Sequence, residues 1–354
     1  MKGPHLDLGS ALESLDARAD PARLLRGFRP PERFAEKRFK TYEPRHATQR
    51  RAADRLARIA EDLGRSARLG GLRRLLSSRR PSIASGIYLD GGFGVGKTHL
   101  LASLWNASPE PRAYLSFDEL MYFIGLTGPE GAAGSFAGYR LLAVDEWELD
   151  DPGNLKMALA FLRAVLQERV FVAVTSNTLP LELGAGRFSQ KDFRAEVEEL
   201  ASAFEVLRVE GDDYRHRHFE STPGTEYFLS PAAMDVIAAE PAAGTLRTSF
   251  PELLAGLETV HPIRYRDLAT AARFWLIDGV APLPDLRAAL RWVHFIGSLY
   301  DAGLRMAASC TVPLGEMFPE GALTGPFGKK LSRCLSRMEE LLGENDGGGM
   351  VRDD

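Results

Sequence analysis

The octapeptide Gly91-Gly92-Phe93-Gly94-Val95-Gly96-Lys97-Thr98 fits G-x-x-x-x-G-K-[ST], with Gly91 and Gly96 at the fixed glycines. A polyphosphate needs backbone N–H groups converging on it from one side, and residues without Cβ let the chain turn and approach that closely. The dipole and free amides of a helix starting at Lys97-Thr98-His99 favour the same anion, so these residues complete the expected nucleotide contacts. Lys97 is suited to bridge the β- and γ-phosphates, and the Thr98 hydroxyl to complete a Mg²⁺ shell. ATP and Mg²⁺ are therefore the expected ligands.

Such a loop works only between a strand and a helix. Ile87-Tyr88-Leu89 supplies a short apolar strand before it, and His99 to Trp105 runs on without a breaker.

Leu141-Leu142-Ala143-Val144-Asp145-Glu146 is an apolar strand ending in two carboxylates. At the carboxyl end of a parallel strand near the phosphate loop, Asp145 is placed to hold Mg²⁺ through water. Glu146, one residue on, is placed to orient an attacking water as general base. That adjacent glutamate argues against a small GTPase, and hydrolysis is the expected chemistry. A third strand, Val170 to Thr175, runs into Ser176-Asn177. A polar side chain at that strand tip can contact the γ-phosphate and its water, which makes Asn177 the candidate. An Asn before Thr178-Leu179-Pro180 is also what a turn start uses.

The segments GIYLDGGFGVGKTHLLASLW, LLAVDEWELDDPGN, VAVTSNTLPLELGAGRF and FEVLRVEGDDYRHR together resemble the ZapE family of AAA+ ATPases and its mitochondrial relatives. PPERFAEKRFKTYEP and LSRCLSRMEEL look like that family's two ends, so the likeness runs over about residues 28 to 340. It implies an α/β P-loop fold, a parallel sheet flanked by helices with a C-terminal β-α-β extension or lid. It also implies ATP hydrolysis coupled to remodelling of a protein partner, the tubulin-like division protein FtsZ, by a homo-oligomer formed on nucleotide binding. Asn177 would then be sensor 1. The stretch LGAGRFSQKDF departs from the longer Gln/Arg-rich segment of many relatives, and the end after Ser336 also diverges.

An arginine finger completes the charge around a γ-phosphate from a neighbouring subunit. Arg187 and Arg194 both lie between the sensor strand and the last core strand, Phe204 to Val209. Arg187 is chosen, because a glycine-containing turn precedes it. Arg333 and Arg337, four residues apart, share a helical face and are candidates for sensor 2.

Composition fits an ordinary globular enzyme: 354 residues, 45% hydrophobic and 26% charged. A net charge of −4 gives no overall pull toward nucleic acid. Two cysteines, Cys310 and Cys334, make no disulfide framework and point to a reducing, cytoplasmic compartment. No apolar run is long enough to span a membrane, and the start lacks the pattern of a secretion signal.

The expected organisation is a flexible arm over 1–30, a helical segment over 31–80, an ATPase core over 81–212, a C-terminal α/β extension over 213–342 and a disordered tail over 343–354. The 50–80 segment is rich in arginine, which a solvated helix face explains as readily as an acidic partner. It is the one feature that favours the alternative of a helicase-loader or initiator-like ATPase on DNA, since no helix-turn-helix or zinc-knuckle pattern is visible. Residues 219 to 257 read as an insertion or hairpin. Beyond them lie a strand at 273–279, a helix at 286–301 and a strand at 304–310; Asp278 reads as structural, and His294 as a core or interface residue.

Overall fold

The computed structural model describes residues 7–15, 20–68, 86–92, 94–148, 152–180, 194–211, 228–239, 244–310, 312–325 and 327–343. The chain divides into two compact units: Ala19–Glu220 is one, and Met1–Arg18 together with Ser221–Asp354 is the other.

Where an arm was expected, the described residues before Phe28 include two short helices. Helix α1 (Leu8–Glu13) is capped by Asp7, and α2 (Pro21–Gly27) by Asp20 with Pro21 in its first turn. Each Asp accepts an otherwise orphaned first-turn N–H, and Pro has none to orphan. Just after α2, Phe28 is buried, edge-on to Phe123 and stacked near Phe136.

Helix α3 (Ala47–Arg68) is the one helix described in the arginine-rich segment; residues 69–85 lie outside the described residues. It buries Ala52, Leu56, Ile59 and Ala60 at helical spacing. Its exposed side mixes Arg50, Arg51, Arg58 and Arg65 with Asp54 and Glu61, so the charges alternate rather than form a basic stripe. Arg55 donates to the Glu205 carboxylate from Nε and Nη2.

The first sheet is parallel throughout. β1 (Gly86–Asp90) leads into the glycine loop and α4 (Lys97–Ala107), followed by β2 (Arg112–Ser116) and α5 (Phe117–Ser135), which kinks at Gly128-Pro129. β3 (Leu141–Asp145), α6 (Pro152–Gln167), β4 (Phe171–Ser176), α7 (Arg194–Ser202) and β5 (Phe204–Arg208) complete it. The spatial order is β2-β3-β4-β1-β5, which puts β4 between the loop strand and the Asp145 strand. β1, β3 and most of β4 are buried on both faces, as continuous apolar runs in a helix-covered parallel sheet require. A parallel sheet flanked by helices, with the glycine loop between its first strand and the next helix, is the α/β P-loop fold expected.

The second unit holds more regular structure than expected. Where a hairpin or insertion was read, the chain forms α8 (Pro231–Ala239), β6 (Thr245–Ser249) and α9 (Phe250–Thr259). After the short α10 (Tyr265–Ala269) come β7 (Phe274–Val280), α11 (Leu286–Asp301), β8 (Arg305–Cys310) and α12 (Gly328–Gly343). The expected β-α-β is thus a three-stranded parallel sheet in the order β6-β7-β8. β6 escapes sequence reading because TLRTS has a single apolar residue, Leu246, which it buries completely. Trp275, Trp292 and Phe295 fill the core on one face, with Leu8 and Leu12 of α1 against it; Met234 closes the other face over Phe274 and Leu276. Asp278 pairs with Arg247 at 2.6 Å, the structural role expected of it, and His294 is half-buried on α11. The expected tail lies outside the described residues from 344 onward.

Candidate nucleotide site

Short-range sterics build the glycine loop. Gly96 has φ +90°, a left-handed conformation that side chains rarely adopt, and it caps α4 by accepting the Leu100 N–H. At Gly91 a Cβ would drive into the carbonyl oxygen of Val209. The loop is therefore a cradle of bare backbone, the form a triphosphate requires. Phe93 lies outside the described residues. Gly92 and Gly94 are exposed and half-buried respectively, and Val95 is buried.

Lys97 is buried, with its ammonium donating to the carbonyls of Gly91 at 2.7 Å and Gly92 at 2.5 Å. It also donates to Asn177 Oδ1 at 2.8 Å. The two residues are eighty positions apart, and the β1–β4 pairing that matches Asp90 with Ser176 brings them together. The Thr98 hydroxyl donates to Asp145 Oδ1 across 3.4 Å.

Asp145 is buried. Burial first, and then the neighbouring charge of Glu146, raise its pKa above the usual carboxylate range; hydroxyls from Thr175, Tyr114 and Thr98 oppose the rise. Tyr114 Oη donates to Asp145 Oδ2 at 2.9 Å, and Thr175 donates to Oδ1. A buried carboxylate with this bias gains most from a cation beside it. Among the described residues no three acidic, histidine or cysteine side chains cluster as a metal cage. One carboxylate and one hydroxyl suit Mg²⁺, which shares its shell with phosphate oxygens and water.

Glu146 has φ +57°, one of two described non-glycine residues with positive φ. Its N–H donates to Thr175 Oγ1 at 3.0 Å, while the next N–H, of Trp147, donates to Thr175 O at 2.7 Å. Thr175 thus holds both Asp145 and the strained backbone of Glu146. Strain held in place by several neighbours is typical of sites where a side chain must be aimed.

Several residues here escaped sequence reading. Tyr42 packs on Gly96 and donates its hydroxyl to Val95 O at 3.0 Å. His99, by contrast, was expected among the nucleotide contacts; its ring approaches the Thr41 hydroxyl at 3.1 Å and Arg38 O at 3.2 Å and meets Tyr42 edge-on. Burial lowers the His99 pKa. Gln49 is fully buried and accepts the backbone N–H groups of Arg45 at 2.7 Å and His46 at 3.3 Å. Residues 38–49 therefore strap the loop. Thr175 and Tyr114 had a faint signal, as polar residues near the ends of otherwise apolar strands; the strap had none, because nothing in its composition names what it covers.

A cleft of about 500 Å³ opens beside the loop, lined by Asp90, Gly91, Gly92, Asn177, Leu179, Arg208 and the 209–211 backbone. That size is normal for a small-ligand site.

The arginine candidates fare differently. Arg187 lies outside the described residues. Arg194 opens α7, largely exposed, and pairs with Glu198 one turn on at 2.7 Å. Arg337 is in the second unit, its guanidinium 5.0 Å from the Tyr300 ring and 3.4 Å from Asp301. Its charge is already engaged there.

The family model for AFG1-like ATPase matches residues 28–239 and 229–345. The chain is 25% identical over 350 residues to the cell division protein ZapE of Escherichia coli (strain K12), covering 84% of this chain and 91% of that one. It is 22% identical to a protein of Schizosaccharomyces pombe, covering 74% and 73% of the two chains. Among solved structures, AMPPCP-bound DnaA from Aquifex aeolicus superposes with a TM-score of 0.37 at 13% identity, over 85% of this chain and 80% of that one.

Proposed function

This chain belongs to the AFG1-like ATPase family, and on that premise we propose that it couples Mg²⁺-dependent ATP hydrolysis to remodelling of a protein partner, the division protein FtsZ. The observation that carries the ATPase half is the convergence of Lys97, Thr98, Asp145 and Asn177 at one loop. Similarity to a cell division protein along most of both chains supports the partner half.

Each residue has a role in this reading. The loop amides and Lys97 bind the phosphates, and Thr98 with Asp145 holds the metal. Bound Mg²⁺ would neutralise charge on the triphosphate. Glu146 orients the attacking water and takes its proton. Asn177 reads the γ-phosphate, and Arg187 supplies positive charge to a neighbouring subunit's site in a homo-oligomer. The DNA-associated alternative rested on the arginine-rich segment, whose described helix carries acids among its arginines.

The test uses FtsZ from the same organism in a sedimentation and light-scattering assay. ATP should change the filaments, whereas ADP or the Lys97→Ala protein should not. Identical scattering in all three would refute FtsZ as the partner and leave the ATPase standing. A supply of arginine in trans makes activity per chain rise with protein concentration, and Arg187→Ala should lower turnover with little change in nucleotide affinity.

A further inference from the structure

The hydrogen bonds around Asn177 have a fixed polarity, and Glu148 is what fixes it. Lys97 Nζ donates to Asn177 Oδ1 at 2.8 Å, and Asn177 Nδ2 donates to Glu148 Oε1 at 3.0 Å. An ammonium only donates and an ionised carboxylate only accepts. The amide therefore turns its oxygen toward the lysine and its nitrogen toward the glutamate, with no freedom to be assigned otherwise.

A γ-phosphate oxygen is also an acceptor only. In the ATPase reading it lies at the Lys97 ammonium, on the side to which Asn177 now shows its oxygen lone pairs. A productive contact needs the amide turned over, nitrogen inward. That rotation gives up the bond to Glu148 and leaves Oδ1 facing the carboxylate, acceptor against acceptor. ADP, lacking the γ-phosphate, asks for no such rotation.

We propose that Glu148 is a positioning residue that holds Asn177 in the oxygen-inward orientation and so sets how strongly the site prefers ATP over ADP. This rests on the reading of Asn177 as the γ-phosphate contact. A ligand shifts a two-state element only by its differential affinity for the two states. Glu148 stabilises the state that the γ-phosphate must displace, so it weakens ATP binding and leaves ADP binding alone. The device also gives the partner-facing machinery two distinct amide states to follow, one per nucleotide. Nothing in the Asp145-Glu146 pair alone supplies that distinction.

The experiment measures dissociation constants by fluorescence for a non-hydrolysable ATP analogue and for ADP, both with Mg²⁺. Glu148→Ala should tighten the ATP analogue roughly tenfold, the scale of one charge-assisted hydrogen bond, with ADP affinity unchanged. In an Asn177→Ala background the same substitution should do nothing, because the amide it acts through is gone. If the alanine variant does not fold, Glu148→Gln serves, with the same direction and a smaller effect. An unchanged ATP-to-ADP ratio in the single variant would overturn the proposal, as would an equal change with and without Asn177. Loss of nothing on Lys97→Ala, or no nucleotide binding by the wild type, would instead bring down the ATPase-site reading, and this inference with it.

Discussion

Tyr42 lies against Gly96, fifty-four positions downstream, with its ring carbon 2.6 Å from where a Cβ would stand and its hydroxyl bonded to Val95 O. The phosphate loop is thus shaped from outside as well as by its own glycines. Tyr42→Phe removes a buried hydrogen bond and should cost about 1 kcal/mol of stability. Gly96→Ala should cost about 1–3 kcal/mol, because it adds left-handed backbone strain to the clash. Urea unfolding of both variants checks this; a Tyr42→Phe protein as stable as the wild type would show that the strap does not bear on the loop.

Lys97→Ala should abolish nucleotide binding, and Glu146→Gln should bind normally while losing at least 10²-fold in turnover, the range for a general base. Equilibrium binding alongside phosphate release separates the two. Wild-type hydrolysis by Glu146→Gln would remove Glu146 from its assigned role.

Asp145→Asn should trade function for stability. The folded pKa of Asp145 is raised by burial and by Glu146. A carboxylate raised above its unfolded value contributes stability when protonated and loses it as pH rises through the folded pKa, so at neutral pH the ionised group weighs against the fold. The asparagine variant, without ligand, should melt higher by about 2–4 °C and lose Mg²⁺-dependent hydrolysis. A lower melting temperature would mean that the three hydroxyl donors outweigh the burial.

His99 predicts an acid-side effect. Burial lowers its pKa from the ordinary 6.5. The unfolded chain takes up its proton first as pH falls, so the His99 contribution is present above pH 6.5 and is lost on acidification through the folded value. His99→Gln should flatten the fall in melting temperature between about pH 7 and about pH 5. An unchanged slope would place the acid sensitivity elsewhere.

Much of this was legible in the chain because the determinants are local. The glycine octapeptide fixes its own turn and helix start, and apolar runs of three to five residues name β1, β3 and β4, since a strand buried on both faces can hold little else. The helix at 286–301 showed its period without help. What remained was settled in three dimensions. That Lys97 meets Asn177, with β4 beside β1, follows from strand order, which no single segment encodes. The strap at 38–49 and the hydroxyls of Tyr114 and Thr175 on Asp145 are long-range contacts between residues with no distinguishing type. β6 is one buried leucine among polar neighbours, a strand only because β7 lies next to it. The sequence by itself determined which groups are the candidates to bind phosphate and activate water, because that chemistry depends on residue type and short spacing. Only the tertiary structure decided how those groups are aimed, because a buried carboxylate's pKa and an amide's orientation depend on neighbours that the chain brings in from far away.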